Sequence, residues 1–137
     1  VAPTSATVLG DESRLRQVVA NLLTNAMRYT PDGSPLEIAV GVREEVPGFP
    51  LSVLEVRDHG PGIHGEDRER VFERFYRTDT SRSRETGGTG LGLSIVAAII
   101  EQHEGRIHID ETDGGGATFV ISLPFYPPPV SDDQLMK

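Results

Sequence analysis

Cysteine is absent from the 137 residues. That excludes a disulfide framework and a thiolate metal centre, and it fits a reducing compartment. Basic residues are the scarcer charge, 13 Lys and Arg against 21 Asp and Glu, for a formal net charge of -8. An acidic chain lacks the basic face that nucleic acid requires, and an anionic membrane surface repels it. No apolar run approaches the roughly 18 residues that span a bilayer. The opening residues lack the basic stretch followed by an apolar one that marks a secretion signal, and no period of repeat length recurs. What is present is an apolar share of 36% with 15 Gly and 10 Pro, which suits one soluble domain with a single core and long loops.

Periodicity places the elements. Ala6 to Gly10 reads as a short strand and Asp11 as a helix N-cap. Leu15, Val18, Val19, Leu22, Leu23, Ala26 and Met27 then follow the spacing of an amphipathic helix, which Thr30 to Gly33 ends with a turn. Leu36 to Arg43 and Leu51 to Arg57 read as a hairpin around a Val46 to Pro50 loop. Glu66 to Phe75 reads as a short charged helix and Arg77 to Gly90 as a mobile loop without nucleotide. Leu91 to His103 is apolar on nearly all sides, hence a buried helix, with Gly105 as its stop. Arg106 to Asp110 and Ala117 to Leu123 form a last strand pair around Gly114 to Gly116. The domain is expected over residues 1–124, and 125–137, with three consecutive prolines, as a disordered tail. Helices and strands do not alternate as βαβ units. The order fits an α+β sandwich, with about three helices on one face of a mixed, mostly antiparallel sheet of about five strands.

Four segments carry chemistry. On the first helix Gln17, Asn21, Asn25 and Arg28 fall in one stripe beside the apolar face. The stripe fits a solvated polar face, and equally a wall in which amide oxygens meet a phosphate-bound Mg²⁺ and Arg28 neutralises phosphate charge. Asp58-His59-Gly60-Pro61-Gly62 follows a strand; it fits an Asx turn, or a carboxylate offered to an adenine amino group with glycines admitting the ring. Gly60, Gly62 and Gly65 match the spacing of a dinucleotide fingerprint, but no packed crossover helix and parallel strand follow them. Gly87 to Gly92 precedes the buried helix, where free N–H groups and the helix dipole favour an anion. No Gly-Lys-Ser/Thr follows, so this is not a Walker loop. Between these segments the loop bearing Arg77, Arg82 and Arg84 is locally cationic, as a lid over polyphosphate or a solvated loop would be.

In order and spacing, from about residue 9 to 123, these segments resemble the histidine kinase branch of the ATPase superfamily that also holds gyrase, the Hsp90 chaperones and the MutL repair proteins. Asn21 to Tyr29 is similar to its N box, Asp58-x-Gly60-x-Gly62 to its G1 box, Phe72 to Arg77 to its F box, Gly88 to Leu93 to its G2 box, and Gly116-Ala-Thr118 to its last glycine-threonine element. The resemblance implies the Bergerat fold. It implies that Asp58 binds the adenine amino group, that Gly60, Gly62 and Ile63 border the base, and that Tyr29 stacks on it. Asn21 and Asn25 would hold Mg²⁺ and phosphate oxygens, and Arg28 would contact phosphate. Arg77, Gly88, Thr89, Gly90, Leu91 and Gly92 would meet the phosphates from the lid side, with Thr118 completing the site. Hydrolytic members carry a glutamate where this chain has Asn21, so the resemblance favours transfer of the γ-phosphoryl group of ATP to a histidine over hydrolysis.

No phosphoacceptor segment is present; His59, His64, His103 and His108 all lack its context, and His59 and His103 read as structural. The resemblance therefore implies a fragment of a longer protein whose missing dimerisation and phosphoacceptor domain is the substrate. A response regulator would be the onward partner. The isolated domain is expected to be a monomer, the full protein a homodimer anchored in the cell membrane with this domain in the cytoplasm. The rival readings are a hydrolytic ATPase, which would need a glutamate at position 21 and a transducer domain, a nucleotide-binding module without turnover, and a serine kinase of related fold, which the F box disfavours.

Overall fold

In a computed structural model of the chain the described residues are 2–3, 6–29, 33–63, 65–68, 70–73, 92–112 and 114–126, with the side chains of Ala2, Pro3, Arg28 and Tyr29 outside the description. Asp11 caps the first helix, α1 (Glu12–Tyr29). Its Oδ1 accepts the Arg14 N–H at 3.2 Å and its carbonyl accepts the Leu15 N–H at 2.9 Å, which satisfies donors the helix itself leaves open. Val18, Leu22 and Ala26 recur every fourth residue and are buried.

The strands are β1 (Ala2–Pro3), β2 (Glu37–Val46), β3 (Phe49–Arg57), β4 (Arg106–Glu111) and β5 (Ala117–Pro124), in the order β1-β2-β3-β5-β4. Four are six residues or longer and β1 has only two, so the expected sheet of about five strands is four long strands and a short edge. All of its pairings are antiparallel. The sheet is therefore not mixed: β2–β3 and β4–β5 are hairpins, and direct connections force opposite directions.

Register sorts the faces. Val56 opposes Phe119 and Leu54 opposes Ile121, and those two in turn oppose Ile109 and Ile107. This layer packs with α1, with the helix here called α3 (Gly92–Gln102), and with Val71 and Phe72 of a 3-10 turn (Arg70–Phe72) that follows a four-residue helix, α2 (Gly65–Arg68). Burying one such apolar side chain contributes about 1.5–3 kcal/mol. Because side chains alternate along a strand, Glu37, Arg57 and Glu55 point to the second face, where Val53 and Val120 are also buried.

Several elements depart from the periodic reading. Residues 6–10 form no strand; the Thr7 carbonyl instead accepts the Ser52 hydroxyl at 2.8 Å and the Tyr126 N–H at 3.0 Å. The first hairpin is longer than expected, with a two-residue Pro47–Gly48 turn in place of a five-residue loop. Among the described residues the charged segment gives α2 and the 3-10 turn, and Arg77 to Gly90 lies outside them. Phe125 and Tyr126, expected in the disordered tail, are tied down: the Phe125 N–H donates to the Pro50 carbonyl at 3.1 Å, and the Thr7 hydroxyl bonds the Tyr126 carbonyl.

The end of α3 is also built otherwise than its glycine suggests. The Gly105 N–H returns to the Ile100 carbonyl at 2.9 Å and the Glu104 N–H to the Glu101 carbonyl at 3.0 Å, the pattern of a Schellman cap. The left-handed residue of that cap is Glu104, at φ 60°, not Gly105. Gly105 is needed for space, since a Cβ there would lie 2.3 Å from the Leu123 side chain and 2.6 Å from the Ser122 carbonyl oxygen.

Candidate functional site

Asp58 follows β3 directly. It lies two residues past Val56 and so on the helix-facing side. Asp58 is buried, with only 7% of the residue exposed. Backbone holds it on one side: Oδ1 accepts the Ala117 N–H at 3.0 Å and the Gly60 N–H at 3.1 Å, while the Asp58 N–H donates to the Ala117 carbonyl at 2.9 Å. Oδ2 accepts no hydrogen bond from the described residues. A buried carboxylate oxygen without a donor is costly unless a ligand supplies one.

The seat depends on Gly116. Its φ is 114°, and a Cβ there would lie 2.2 Å from the Asp58 carbonyl oxygen. The Gly116 carbonyl accepts the Thr112 N–H at 3.1 Å. Gly62, at φ 77°, packs against the same carbonyl, and Ile63 beside it is half-buried against the core. The loop 58–62 is thus pressed onto the start of β5 by close backbone contact and by the Asp58 carboxyl on the Ala117 N–H.

The second half of the site joins α1 to α3. Asn21 and Asn25 are half-buried and one turn apart. Asn21 Nδ2 donates to the Gly92 carbonyl at 3.4 Å, a long bond that sets the start of α3 beside the asparagine stripe. With the nitrogen so engaged, the Asn21 amide oxygen is the atom left to accept. The Asn25 amide has no partner among the described residues. Gln17, from the same stripe, is exposed.

The expected residues therefore divide. Asp58, Gly60, Gly62 and Ile63 form one described cluster, and Asn21 and Gly92 form a contact across two helices. Arg28 and Tyr29 lie in the last turn of α1 with their side chains outside the description, and Arg77, Gly88, Thr89, Gly90 and Leu91 lie outside the described residues, as does His64. Thr118 is buried, with its hydroxyl 2.9 Å from that of Thr112. Its register opposite Arg57 and Asp110 puts it on the face away from the helices, whereas Ala117 stands beside Asp58.

Two structural histidines acquire definite roles. His103 Nε2 accepts the Asp11 N–H at 3.0 Å and its Nδ1 donates to the Ile99 carbonyl at 2.7 Å, which joins the cap of α1 to the end of α3. His59 Nε2 bonds Glu37 Oε1 at 2.5 Å, and the other Glu37 oxygen is 3.6 Å from Arg57. The His59 hydrogen bond, ahead of the neighbouring Arg57 and His59 charges, holds the Glu37 carboxyl below its ordinary range against the opposing cost of burial. Sequence reasoning missed both links, and it missed the Ala117 N–H as the donor that orients Asp58, because main-chain donors leave no signal in residue type.

Among the described residues no three His, Asp or Glu side chains gather as a metal cluster. The asparagine amide oxygens are the hard donors on offer. A pair of neutral oxygens fits Mg²⁺ that arrives with a polyphosphate, because that ion keeps most of its shell as water and phosphate.

Comparisons with known proteins agree on one kind of domain. Residues 10–127 match the family described as histidine kinase-, DNA gyrase B-, and HSP90-like ATPase. The sensor-like histidine kinase SenX3 of Mycolicibacterium smegmatis is 45% identical over 130 residues, 95% of this chain and 33% of that protein. The chain thus spans about a third of the length of this relative. The structure of the mycobacterial sensor histidine kinase MprB superposes with a TM-score of 0.76 at 33% identity, covering 88% of this chain and 78% of that one. Full-length ShkA, solved in complex with AMPPNP, superposes at 0.75 with 30% identity, covering 93% of this chain and 25% of that one.

Proposed function

The chain belongs to the histidine kinase-, DNA gyrase B- and HSP90-like ATPase family, among its sensor histidine kinases, and from that premise we propose that it binds Mg-ATP and gives the γ-phosphoryl group to a histidine on another domain of the same kinase, for onward transfer to a response regulator. The observation that carries the nucleotide assignment is the buried Asp58 carboxyl with one oxygen held by two backbone N–H groups. The other oxygen accepts from the adenine amino group, and Gly62 leaves the ring space beside it. Only a base with an exocyclic donor at that point satisfies the oxygen, so adenine is favoured over guanine.

Asn21 and Asn25 hold the phosphate-bound metal through their amide oxygens, and Arg28 meets the phosphates at the end of the same helix. Mg²⁺, when bound, neutralises charge on the β- and γ-phosphates. The chain itself positions: α1 carries the amides, the Asn21–Gly92 contact sets α1 against the start of α3, and the N–H groups there face the anion. Arg77, Gly88, Thr89, Gly90 and Leu91 close over the phosphates. With an amide at position 21 no carboxylate stands there to activate water, so transfer to an imidazole is favoured over hydrolysis. Full-length ShkA, solved in complex with AMPPNP, contains a domain that superposes on this chain, which supports the same use of the fold. The full-length protein acts as a membrane-anchored homodimer with this domain on the cytoplasmic side.

Calorimetric titration of ATP and ADP, with and without Mg²⁺, into the domain and into Asp58→Asn tests the reading. Micromolar to millimolar binding in the domain, lost or weakened at least about tenfold in the variant, is expected; a buried hydrogen bond to a charged group is worth about 1.5–3 kcal/mol. Equal affinity in the two proteins removes the adenine assignment.

A further inference from the structure

We propose that Glu37 and His59 form a positioning clasp on the adenine loop, so that nucleotide affinity depends on this pair although neither side chain touches the base. The inference rests on the nucleotide reading above. The loop 58–62 has two sides. On the helix-facing side it is fixed by the Asp58 carboxyl on the Ala117 N–H and by backbone contacts to Gly116 and Ala117. On the second face its attachment runs through His59, whose Nε2 meets Glu37 Oε1 at 2.5 Å at the start of β2, the strand on the far side of β3. His59 is adjacent to Asp58, so the clasp acts on the segment that presents the adenine-binding carboxyl.

The charged groups around the clasp come from each neighbouring strand. From β3, Arg57 lies 3.6 Å from Glu37 and 3.2 Å from Glu55. Asp110 of β4 stands in the same row, across Thr118 of β5. His59 side-chain exposure is 29% and that of Glu37 is 50%. The imidazole Nε2–H donates to the Glu37 carboxylate, and a hydrogen bond to a charged acceptor is stronger than a neutral one. A loop held more firmly loses less freedom when it binds the base, which raises affinity without a new contact to the ligand. An exposed ion pair is a modest lever, which sets the expected change at about two- to fivefold.

The test is calorimetric titration of ADP into the domain, Glu37→Gln, His59→Gln and the double variant at one pH. Each single variant is expected to bind about two- to fivefold more weakly, the double variant no more weakly than either single one, and the difference is expected to shrink in molar salt, which screens exposed pairs. Equal affinity in all four proteins, or losses that add in the double variant, overturn the clasp. If ADP binds and Asp58→Asn weakens it while the clasp variants match the parent, the clasp alone fails. If the folded parent binds no nucleotide, the nucleotide reading fails and the clasp with it.

Discussion

At the residue scale the site turns on backbone rather than on side-chain chemistry. The Asp58 carboxyl, proposed to accept adenine, is aimed by the Ala117 and Gly60 N–H groups, and the seat closes only because Gly116 has no side chain. Gly116→Ala places a Cβ 2.2 Å from the Asp58 carbonyl oxygen at φ 114°. It is expected to cost at least about 3 kcal/mol, in the range reserved for backbone strain and core damage. The check is the urea midpoint, with ADP affinity measured on whatever remains folded. Asp58 itself was legible in the sequence, because a carboxylate between a strand and two glycines is an unusual string. Gly116 was legible only as a turn, and Thr118 was assigned without the alternation that puts its hydroxyl on Thr112.

Glu37 gives a second prediction at this scale. Its carboxyl is held below the ordinary 4.5, first by the His59 hydrogen bond. A depressed carboxyl contributes stability that is present above its unfolded value and lost as pH falls through the folded one. Stability followed by urea denaturation should therefore show an extra decline below about pH 4.5 in the parent that Glu37→Gln lacks. Identical acid limbs in the two proteins would remove the interaction from the account.

At the element scale the two site-bearing helices are joined at both ends, by Asn21 to Gly92 at one and by His103 to Asp11 at the other. The amphipathic period located α1, and a run apolar on nearly all sides located α3. It said nothing of the clamps, which pair residues 71 and 92 positions apart in the chain. Removing the His103 ring takes away one hydrogen bond at each end of the clamp, and His103→Ala is expected to lower stability by about 1–3 kcal/mol.

The cap of α3 gives a sharper pair of expectations. Glu104 occupies a left-handed conformation that suits glycine, and Gly105 sits where even a methyl group would strike Leu123 and Ser122. Glu104→Gly is expected to leave stability unchanged or raise it by up to about 1 kcal/mol, while Gly105→Ala lowers it by about 2 kcal/mol or more. Thermal midpoints of the two variants decide. The reverse order would mean that the glycine serves the turn, as its sequence position alone suggested.

At the scale of the whole molecule the antiparallel sheet has two working ends. One carries Asp58 and Gly116. At the other, the β2–β3 turn meets the last described residues, where Thr7, Pro50, Ser52, Phe125 and Tyr126 interlock. Proline-rich composition argued for a tail from residue 125, but composition cannot register that two N–H groups find carbonyls 75 and 119 residues earlier. The Phe125 N–H takes the Pro50 carbonyl and the Tyr126 N–H takes the Thr7 carbonyl. A chain ended after Tyr126 keeps both bonds and the hydroxyl contact of Thr7, and a chain ended after Pro124 loses all three. At about 0.5–1.5 kcal/mol for each hydrogen bond, the shorter chain is expected to be less stable by about 1.5–4.5 kcal/mol. Because this end is remote from Asp58 along β3, its ADP affinity at a temperature where both chains are folded should match that of the longer one. A fall in affinity without a fall in stability would show that the far end of the sheet is coupled to the nucleotide seat, and the separation of the two ends would have to be abandoned.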